Sequence, residues 1–344
     1  MQSARCLVWP IVLALELLVS GCTHSATPSE SSQAGSGAAP PVLRIAMIPK
    51  GTTHEFWKAV HAGAVKAQTE LGVEVIWKGP LKEDDLKAQI DLVQSFTAQH
   101  VSGIALAPLN DKALVVSVKS AVDGKIPVVV FDSDLKGDAH ASFVATDNLA
   151  AGRLAGVAMA KALGGKGNVI VLRYQEGSAS THNREQGFLE EVGKHTGLKV
   201  VSENQYGGAT TESAFAASES VLIAAGAGRG QVQGIFCPNE STTFGMLLAL
   251  QKAGLTNKLE FFGFDASDKL VAALEKGELQ GLVLQDPFNM GYLAIQTLVS
   301  RLRGGSVAPR IDTGSKLVTR ENMGQPEIQR LLRPETARWL GETH

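Results

Sequence analysis

The chain has 344 residues, a formal net charge of −2 at pH 7 and a 44% share of hydrophobic residues. This length allows two domains of ordinary size with substantial cores. The near-neutral charge gives no clustered basic face of the kind that binds nucleic acid, so we expect no nucleic-acid partner. The cysteines do not indicate a disulfide framework, because two of the three, Cys6 and Cys22, precede the folded part and leave Cys237 alone.

The first 22 residues have the composition of an export signal. Arg5 precedes the apolar run CLVWPIVLALELLV, and the sequence VSGC follows it. Small residues before a cysteine resemble the lipobox of bacterial lipoproteins, in which Cys22 would be lipidated and become the mature N-terminus. Pro10 and Glu16 interrupt the apolar run, so a plain signal peptide cleaved nearby is the alternative. A transmembrane helix is disfavoured because the run is too short and carries a charge.

Residues 23–41 are rich in Ser, Ala, Gly and Pro and contain almost no large apolar side chain. Such a segment cannot bury enough surface to order itself, so we predict a disordered tether. A signal, an anchor cysteine and a tether before a globular body predict a protein of the periplasm or cell envelope. Its membrane contact would be the lipid anchor alone.

Strand and helix patterns alternate through the first half of the body. The β-rich runs are LRIAMI, VEVIWK, GIALAP and PVVVFD. Helical patterns are predicted between them at about 54–71, from near 84, and at about 113–122. The second of these helices shows Leu86, Ile90 and Val93 at i, i+4 and i+7.

The same alternation recurs after Asp147. Its β-rich runs are NVIVLRY, KVVSEN, VQGIFC, LEFFGFD and QGLVLQ, and its predicted helices are at about 148–163, 183–195, 213–225 and 243–253. Continuous apolar strands are typical of parallel sheets covered on both faces. Two successive sets of strand–helix units therefore predict an α/β protein with two similar, doubly wound Rossmann-like lobes.

Polar side chains follow nearly every predicted strand. In open parallel sheets, ligands bind beyond the carboxyl ends of the strands. A single Asp or Asn at such a place is ordinarily a turn former or a helix cap. Capping explains less well why polar groups stand at the strand exits of both lobes, and we interpret them as a ligand site: Asp132, Ser133, Arg184, Asn239, Glu240, Asp265 and Gln285.

Several motifs in one order resemble the periplasmic sugar-binding proteins of ABC importers. They are HEFWKAVHAGAVKAQTELG, IPVVVFDSD, ATDNLAAG, NREQGF, IFCPNE, FFGFDAS and LVLQDPFNMG. The resemblance is to the ribose/galactose-type group, which shares its fold with the effector core of lactose-repressor-like regulators. It runs from about residue 43 to about residue 322.

The resemblance implies a type I periplasmic binding protein, in which a hinge of three crossings joins the lobes. The N-terminal lobe would comprise 43–146 plus about 286–314, and the C-terminal lobe 147–285 plus about 315–322. We expect the crossings near 146–147, 285–286 and 314. Residues 323–344 would form a C-terminal tail, with a short helix that packs on one lobe.

In the N-terminal lobe, the resemblance assigns five ligand-binding positions. His54 stands where the family has an asparagine that hydrogen-bonds the sugar, and Phe56 and Trp57 match two aromatics that sandwich the sugar ring. Adjacent helical residues lie roughly 100° apart, so we expect Trp57 to face the cleft and Phe56 the core or the edge of the sugar; the reverse is the alternative. Asp132 matches the family's aspartate after the strand that ends in VVVF, and Ser133 stands where the family often has an arginine.

In the C-terminal lobe, the resemblance assigns four more ligand-binding positions. Arg184 matches the arginine of an R-x-x-G-F motif, and Asn239 matches a strand-exit asparagine. Asp265 matches the aspartate of GFD, and Gln285 closes the last strand. Family members often carry a further aromatic here, for which Tyr206 is the candidate. We also infer that Arg184 lies between Asp132 and Asp265 and offsets their repulsion.

The resemblance predicts a monomer that binds a small-molecule sugar, closes by hinge bending and delivers it to ABC permease subunits. A binding protein that serves a chemoreceptor or sensor kinase is the alternative. A transcription factor is disfavoured because a signal and a tether replace the helix-turn-helix. We expect no enzyme, no cofactor and no metal, because His182 and His195 lack ligand-spaced partners and Cys237 lacks an evident base.

Overall fold

The computed structural model describes residues 42–341. The predicted signal peptide, the lipidation site Cys22, the tether at 23–41 and the last three residues lie outside this part of the chain. Within residues 42–341, no helix combines the length and the hydropathy that crossing a bilayer requires.

The strands are β1 (Arg44–Ile48), β2 (Glu74–Trp77), β3 (Gly103–Leu106), β4 (Val128–Phe131), β5 (Ser142–Ala145), β6 (Lys166–Arg173), β7 (Gly197–Tyr206), β8 (Gly234–Phe236), β9 (Glu260–Phe264), β10 (Gly281–Gln285), β11 (Arg310–Asp312) and β12 (Ser315–Val318). The helices are α1 (Glu55–Leu71), α2 (Leu86–Ala98), α3 (Val115–Asp123), α4 (Asn148–Ala162), α5 (Ala179–Val192), α6 (Thr211–Ala224), α7 (Glu240–Lys252), α8 (Asp268–Lys276), α9 (Pro287–Leu302), α10 (Pro326–Leu332) and α11 (Thr336–Leu340).

The N-terminal lobe is a parallel sheet in the order β11-β5-β4-β3-β1-β2. Alternate residues of its strands enter two separate cores, because successive side chains of a strand point to opposite faces. Ile45 and Met47 pack with α1 and α9 on one face. Ala46 and Ile48 pack with α2 and α3 on the other.

The C-terminal lobe repeats this plan with the sheet order β12-β10-β9-β8-β6-β7. All its neighbouring strands are parallel except β12, which runs antiparallel to β10. Helices α4 and α5 cover one face, and α6, α7, α8 and α10 cover the other. When the strand orders of the two sheets are compared, β4 and β5 of the first sheet therefore occupy the same places as β9 and β10 of the second.

The chain passes between the two sheets after β5, after β10 and after β11. These are the three crossings of a type I periplasmic binding protein, so the predicted fold class of two doubly wound lobes is confirmed. The turn at the third crossing contains Gly314, whose φ of 78° lies in the left-handed region that glycine enters without strain.

The C-terminal tail contacts both lobes. Helix α10 buries Ile328 and Leu332 in the core of the C-terminal lobe, where Leu331 packs partly buried. Helix α11, which carries Trp339, then packs against α1 of the N-terminal lobe. The tail therefore adds a fourth passage between the lobes at residues 333–335.

In each lobe a pair of helices meets through glycines. A Cβ added to Gly63 of α1 would lie 1.8 Å from the carbonyl oxygen of Phe288 at the start of α9. A Cβ added to Gly152 of α4 would lie 2.0 Å from the carbonyl oxygen of Arg184 in α5. Because no side chain fits at either contact, glycine sets the separation of these helices and the position of Arg184 in particular.

Candidate ligand-binding site

Two aspartates occupy equivalent strand ends in the two lobes. Asp132 follows β4 and Asp265 follows β9, and their backbone N–H groups donate to Val144 O at 3.0 Å and Val283 O at 2.9 Å on the next strand. Both have positive φ, 60° and 66°. This conformation strains a residue with a Cβ by on the order of 1 kcal/mol, and such strain clusters at functional sites. Each lobe thus holds a carboxylate at its cleft edge in an unusual backbone conformation.

Arg184 is held rigidly in the wall of the C-terminal lobe. Its Nε donates to Asn148 Oδ1 at 2.8 Å, and its Nη1 donates to Pro238 O at 3.0 Å. Its guanidinium carbon lies 4.2 Å from the ring centroid of Phe264. Its Nη2 is buried and has no hydrogen-bond partner, so the guanidinium is fixed with one donor group left over.

Asp265 and Gln285 form a second fixed pair in the same wall. Gln285 Nε2 donates to Asp265 Oδ1 at 2.7 Å, and the Glu240 N–H donates to Asp265 Oδ2 at 3.1 Å. Burial raises the pKa of Asp265, and the positive charge of Arg184, 3.9 Å away, opposes that rise. Gln285 Oε1 is buried without a partner, so this pair leaves one acceptor free.

In the wall of the N-terminal lobe, Asp132 pairs with a lysine that the sequence analysis did not select. Lys50 Nζ lies 2.9 Å from Asp132 Oδ2, and both side chains are nearly fully buried. The same ammonium group donates to Ser178 Oγ at 3.3 Å and to Ser180 Oγ at 3.0 Å in the opposite lobe. The cation beside Asp132 is therefore Lys50, whereas the structure pairs Arg184 with Asp265.

The two adjacent aromatics at the start of α1 both reach the cleft and the core. Phe56 and Trp57 stack edge to face, with ring centroids 4.9 Å apart. Both line the space between the lobes, and both belong to the core between α1 and α9. Trp57 Nε1 donates to Glu83 Oε1 at 2.5 Å, which directs the indole N–H towards the cleft.

His54 and Glu83 form a buried ion pair beside these rings, with Nδ1 and Oε1 2.8 Å apart. Burial alone would lower the pKa of His54, but the charge and hydrogen bond of Glu83 outweigh burial and raise that pKa to about 9. Burial alone would raise the pKa of Glu83, but His54 and Lys50 lower it to about 2. At neutral pH the pair is therefore an imidazolium and a carboxylate.

Three other predicted positions play different parts in the structure. Asn239 lines the space between the lobes, but its Oδ1 caps α7 by accepting from the Thr242 N–H at 3.3 Å. Ser133 accepts from the Ser180 N–H at 3.1 Å and thereby joins the lobes beside that space. Tyr206 is 46% exposed, and its ring lies under the Arg173 guanidinium, 5.6 Å from its carbon.

The cleft is closed in this structure. The space that water can occupy between the lining side chains is about 20 Å³, which is room for one or two waters. A ligand larger than that enters only when the lobes part. Two buried polar atoms of residues that line this space have no hydrogen-bond partner, and they are Arg184 Nη2 and Gln285 Oε1. Asp132 Oδ2 has its ion pair with Lys50.

The lining also contains polar residues that the sequence analysis did not select: Lys50, Glu83, Tyr174, Ser180 and Thr181. The strand-exit rule extends to several of them. Lys50 and Tyr174 follow β1 and β6, and Glu83 lies in the loop after β2. Their position after a strand could therefore have identified these residues from the sequence. They were not selected because a lysine at a strand end is ordinarily solvated, and a tyrosine after an apolar strand is ordinarily part of the core.

Residues 45–306 match the family described as "Periplasmic binding protein domain". The chain belongs to this family. Among its curated members, the ribose import binding protein of Escherichia coli (strain K12) is 26% identical over 311 residues, which is 89% of this chain and 98% of that protein. Such family members are substrate-binding proteins and not enzymes.

Solved structures of the family superpose on most of the chain. The periplasmic component of an ABC-type sugar transport system from Hahella chejuensis is 36% identical, with a TM-score of 0.77 over 80% of this chain and 99% of that one. A carbohydrate transporter solute binding protein from Agrobacterium radiobacter, solved with D-arabinose, is 32% identical, with a TM-score of 0.81 over 86% of this chain and all of that one.

Proposed function

We propose that this periplasmic binding protein captures a sugar between its lobes and delivers it to an ABC transporter. The observation that carries the proposal is that Arg184 Nη2 and Gln285 Oε1 are buried without partners in one cleft, beside the Lys50–Asp132 ion pair. Burying a polar group without a partner costs about 1–3 kcal/mol. Two such groups beside one closed cleft are explained if ligand hydroxyls complete them.

The chemistry of these atoms fits a sugar. A sugar hydroxyl both donates and accepts, so it can donate to the oxygens of Asp132 and Gln285 and accept from Arg184 Nη2. Hydrogen bonds to charged groups are worth about 1.5–3 kcal/mol each, against about 1 kcal/mol for neutral pairs. The C–H faces of a sugar ring suit the aromatic rings of Phe56 and Trp57.

Capture requires the lobes to move. We propose that 43–146 plus about 286–314 and 147–285 plus about 315–322 part as two bodies about the three crossings. The direct contacts between the lobes, such as Lys50 to Ser180 and Ser133 to Ser180, break on opening and form again around the ligand.

The relatives and the N-terminal sequence support a location and partners for this protein. Relatives named as periplasmic or import binding proteins support work outside the cytoplasm beside a permease, which favours transport over a sensor role. We propose that Cys22 carries the lipid anchor, that 23–41 is the tether and that the protein works as a monomer.

The test is a melting-temperature screen of the purified protein against neutral pentoses, hexoses and polyols. A ligand that binds only the folded protein raises its melting temperature by mass action. We expect at least one sugar to do so for the wild type and not for Asp265→Asn. The matched control is Asp123→Asn at an exposed carboxylate of α3, which should respond like the wild type. A folded wild type that no carbohydrate stabilises would refute the sugar assignment.

A further inference from the structure

Glu83 lies where the two lobes and the predicted sugar contacts meet. The residue is 6% exposed. Oε1 accepts from His54 Nδ1 at 2.8 Å and from Trp57 Nε1 at 2.5 Å. Oε2 accepts from the hydroxyl of Tyr174. The backbone oxygen of Glu83 accepts from Gln175 Nε2 at 2.9 Å.

These partners come from both lobes. His54 and Trp57 belong to the N-terminal lobe and stand among the predicted sugar contacts. Tyr174 and Gln175 follow β6 in the C-terminal lobe. The bonds from Tyr174 and Gln175 are therefore made when the lobes are closed, whereas those from His54 and Trp57 lie within one lobe.

The position favours a carboxylate. An indole N–H, an imidazolium N–H and a phenol O–H all point at Glu83 as donors, and an ionised carboxylate is an acceptor only. A glutamine there would lose the charge that pairs with the imidazolium. Its NH₂ group would face either the donors of His54 and Trp57 or the Tyr174 hydroxyl, which would then have to accept instead of donate. The charged groups Lys50, Glu240 and Asp265 also act on the His54–Glu83 pair.

We propose that Glu83 is a positioning residue that couples the sugar-contacting wall to lobe closure. It orients His54 and Trp57 for the ligand and stabilises the closed lobes through the hydroxyl of Tyr174. This role rests on the proposed function, because it assigns the wall to sugar contact. It predicts that removing the Tyr174 hydroxyl favours the open form even without ligand.

Small-angle X-ray scattering of the unliganded full chain tests the closure half. We expect a larger radius of gyration for Tyr174→Phe and Glu83→Gln than for the wild type. Tyr292→Phe is the matched control, because the Tyr292 hydroxyl donates to Glu70 at 2.8 Å within the N-terminal lobe. If Tyr174→Phe scatters like Tyr292→Phe, the closure role is wrong, whether or not Glu83→Gln folds.

Stopped-flow binding of D-ribose or D-arabinose tests the coupling to ligand. Loss of one charge-assisted hydrogen bond of the closed form should speed dissociation from Tyr174→Phe by roughly ten- to a hundredfold, with association little changed. Equal dissociation rates in Tyr174→Phe and Tyr292→Phe would refute the coupling. If neither these sugars nor the wider panel binds the wild type, the proposed function fails, and scattering still decides the closure role.

Discussion

At the scale of single residues, the site consists of side chains that the protein has already fixed. Arg184 has two hydrogen bonds and an aromatic ring to hold it, and Gln285 is held by Asp265. Each retains one unpartnered atom. A ligand that meets fixed groups loses less entropy on binding than one that must order them, so this arrangement favours affinity as well as selectivity.

The His54–Glu83 ion pair predicts a pH dependence of stability. The pKa of His54 is raised from 6.5 to about 9 in the folded protein. The contribution of the His54 charge to the free energy of unfolding is therefore fully present below pH 6.5 and is lost as the pH rises through about 9. The contribution is at most about 3 kcal/mol. Burial raises the pKa of Glu240 to about 7, so Glu240 changes its protonation mainly at lower pH than His54 does.

The measurement is the melting temperature of wild type and His54→Asn between pH 7 and 9.5. We expect the wild type to be the more stable at pH 7 and its advantage to shrink towards pH 9.5. His182→Asn is the control, since His182 is exposed on α5 and should leave the profile of the wild type unchanged. A constant gap between wild type and His54→Asn would show that His54 is not held charged by Glu83.

At the scale of elements, helix separation positions the site. Gly152 of α4 abuts the backbone of Arg184 in α5. We predict that Gly152→Ala forces the helices apart, destabilises the protein by about 1–3 kcal/mol and shifts Arg184. Urea unfolding should show the loss, and sugar affinity should fall with it.

Gly228 provides the control for this substitution. It is exposed, and an added Cβ would meet no atom within 4 Å. Gly228→Ala should therefore unfold at the same urea concentration as the wild type. If Gly152→Ala is as stable as Gly228→Ala, the glycine contact does not set the helix separation.

Hydrophobic patterning predicted most strands and helices but missed some that are short or lie near the C-terminal end of the chain. Apolar runs such as PVVVFD and LEFFGFD identified β4 and β9 directly. Strand β5 (Ser142–Ala145) was missed because Phe143 and Val144 are its only large apolar residues, so no apolar run stands out. The sequence pattern predicts α5 from about residue 183, because SASTHN is polar, whereas the helix begins at Ala179 after an extended Ser178.

The site was predictable where chemistry and strand position coincide. Asp132, Asp265 and Gln285 are polar residues directly at strand ends, and the structure brings them to one space. Lys50 was missed because its charge is satisfied only by Asp132 and by serines of the other lobe. Such a partnership depends on tertiary and inter-lobe contacts that no local pattern encodes.

At the scale of the whole molecule, the two lobes present matched strand ends to each other. The equivalence of β4 with β9 places one strained aspartate on each side of the cleft. In the proposed function, closure would therefore place a carboxylate on each side of the ligand, while Lys50 and Arg184 supply one cation to each wall. We expect opening and closing to control capture and release.

The most direct test of the account is a calorimetric titration of the best sugar from the screen into wild type, Arg184→Lys and Arg153→Lys. Arg184→Lys keeps the charge but removes the fork that carries the unpartnered Nη2, and the dissociation constant should rise roughly tenfold or more. Arg153 of α4 pairs with Glu190 of α5 at the protein surface, so Arg153→Lys should bind like the wild type. Equal affinity of all three proteins would contradict capture between the lobes at this site.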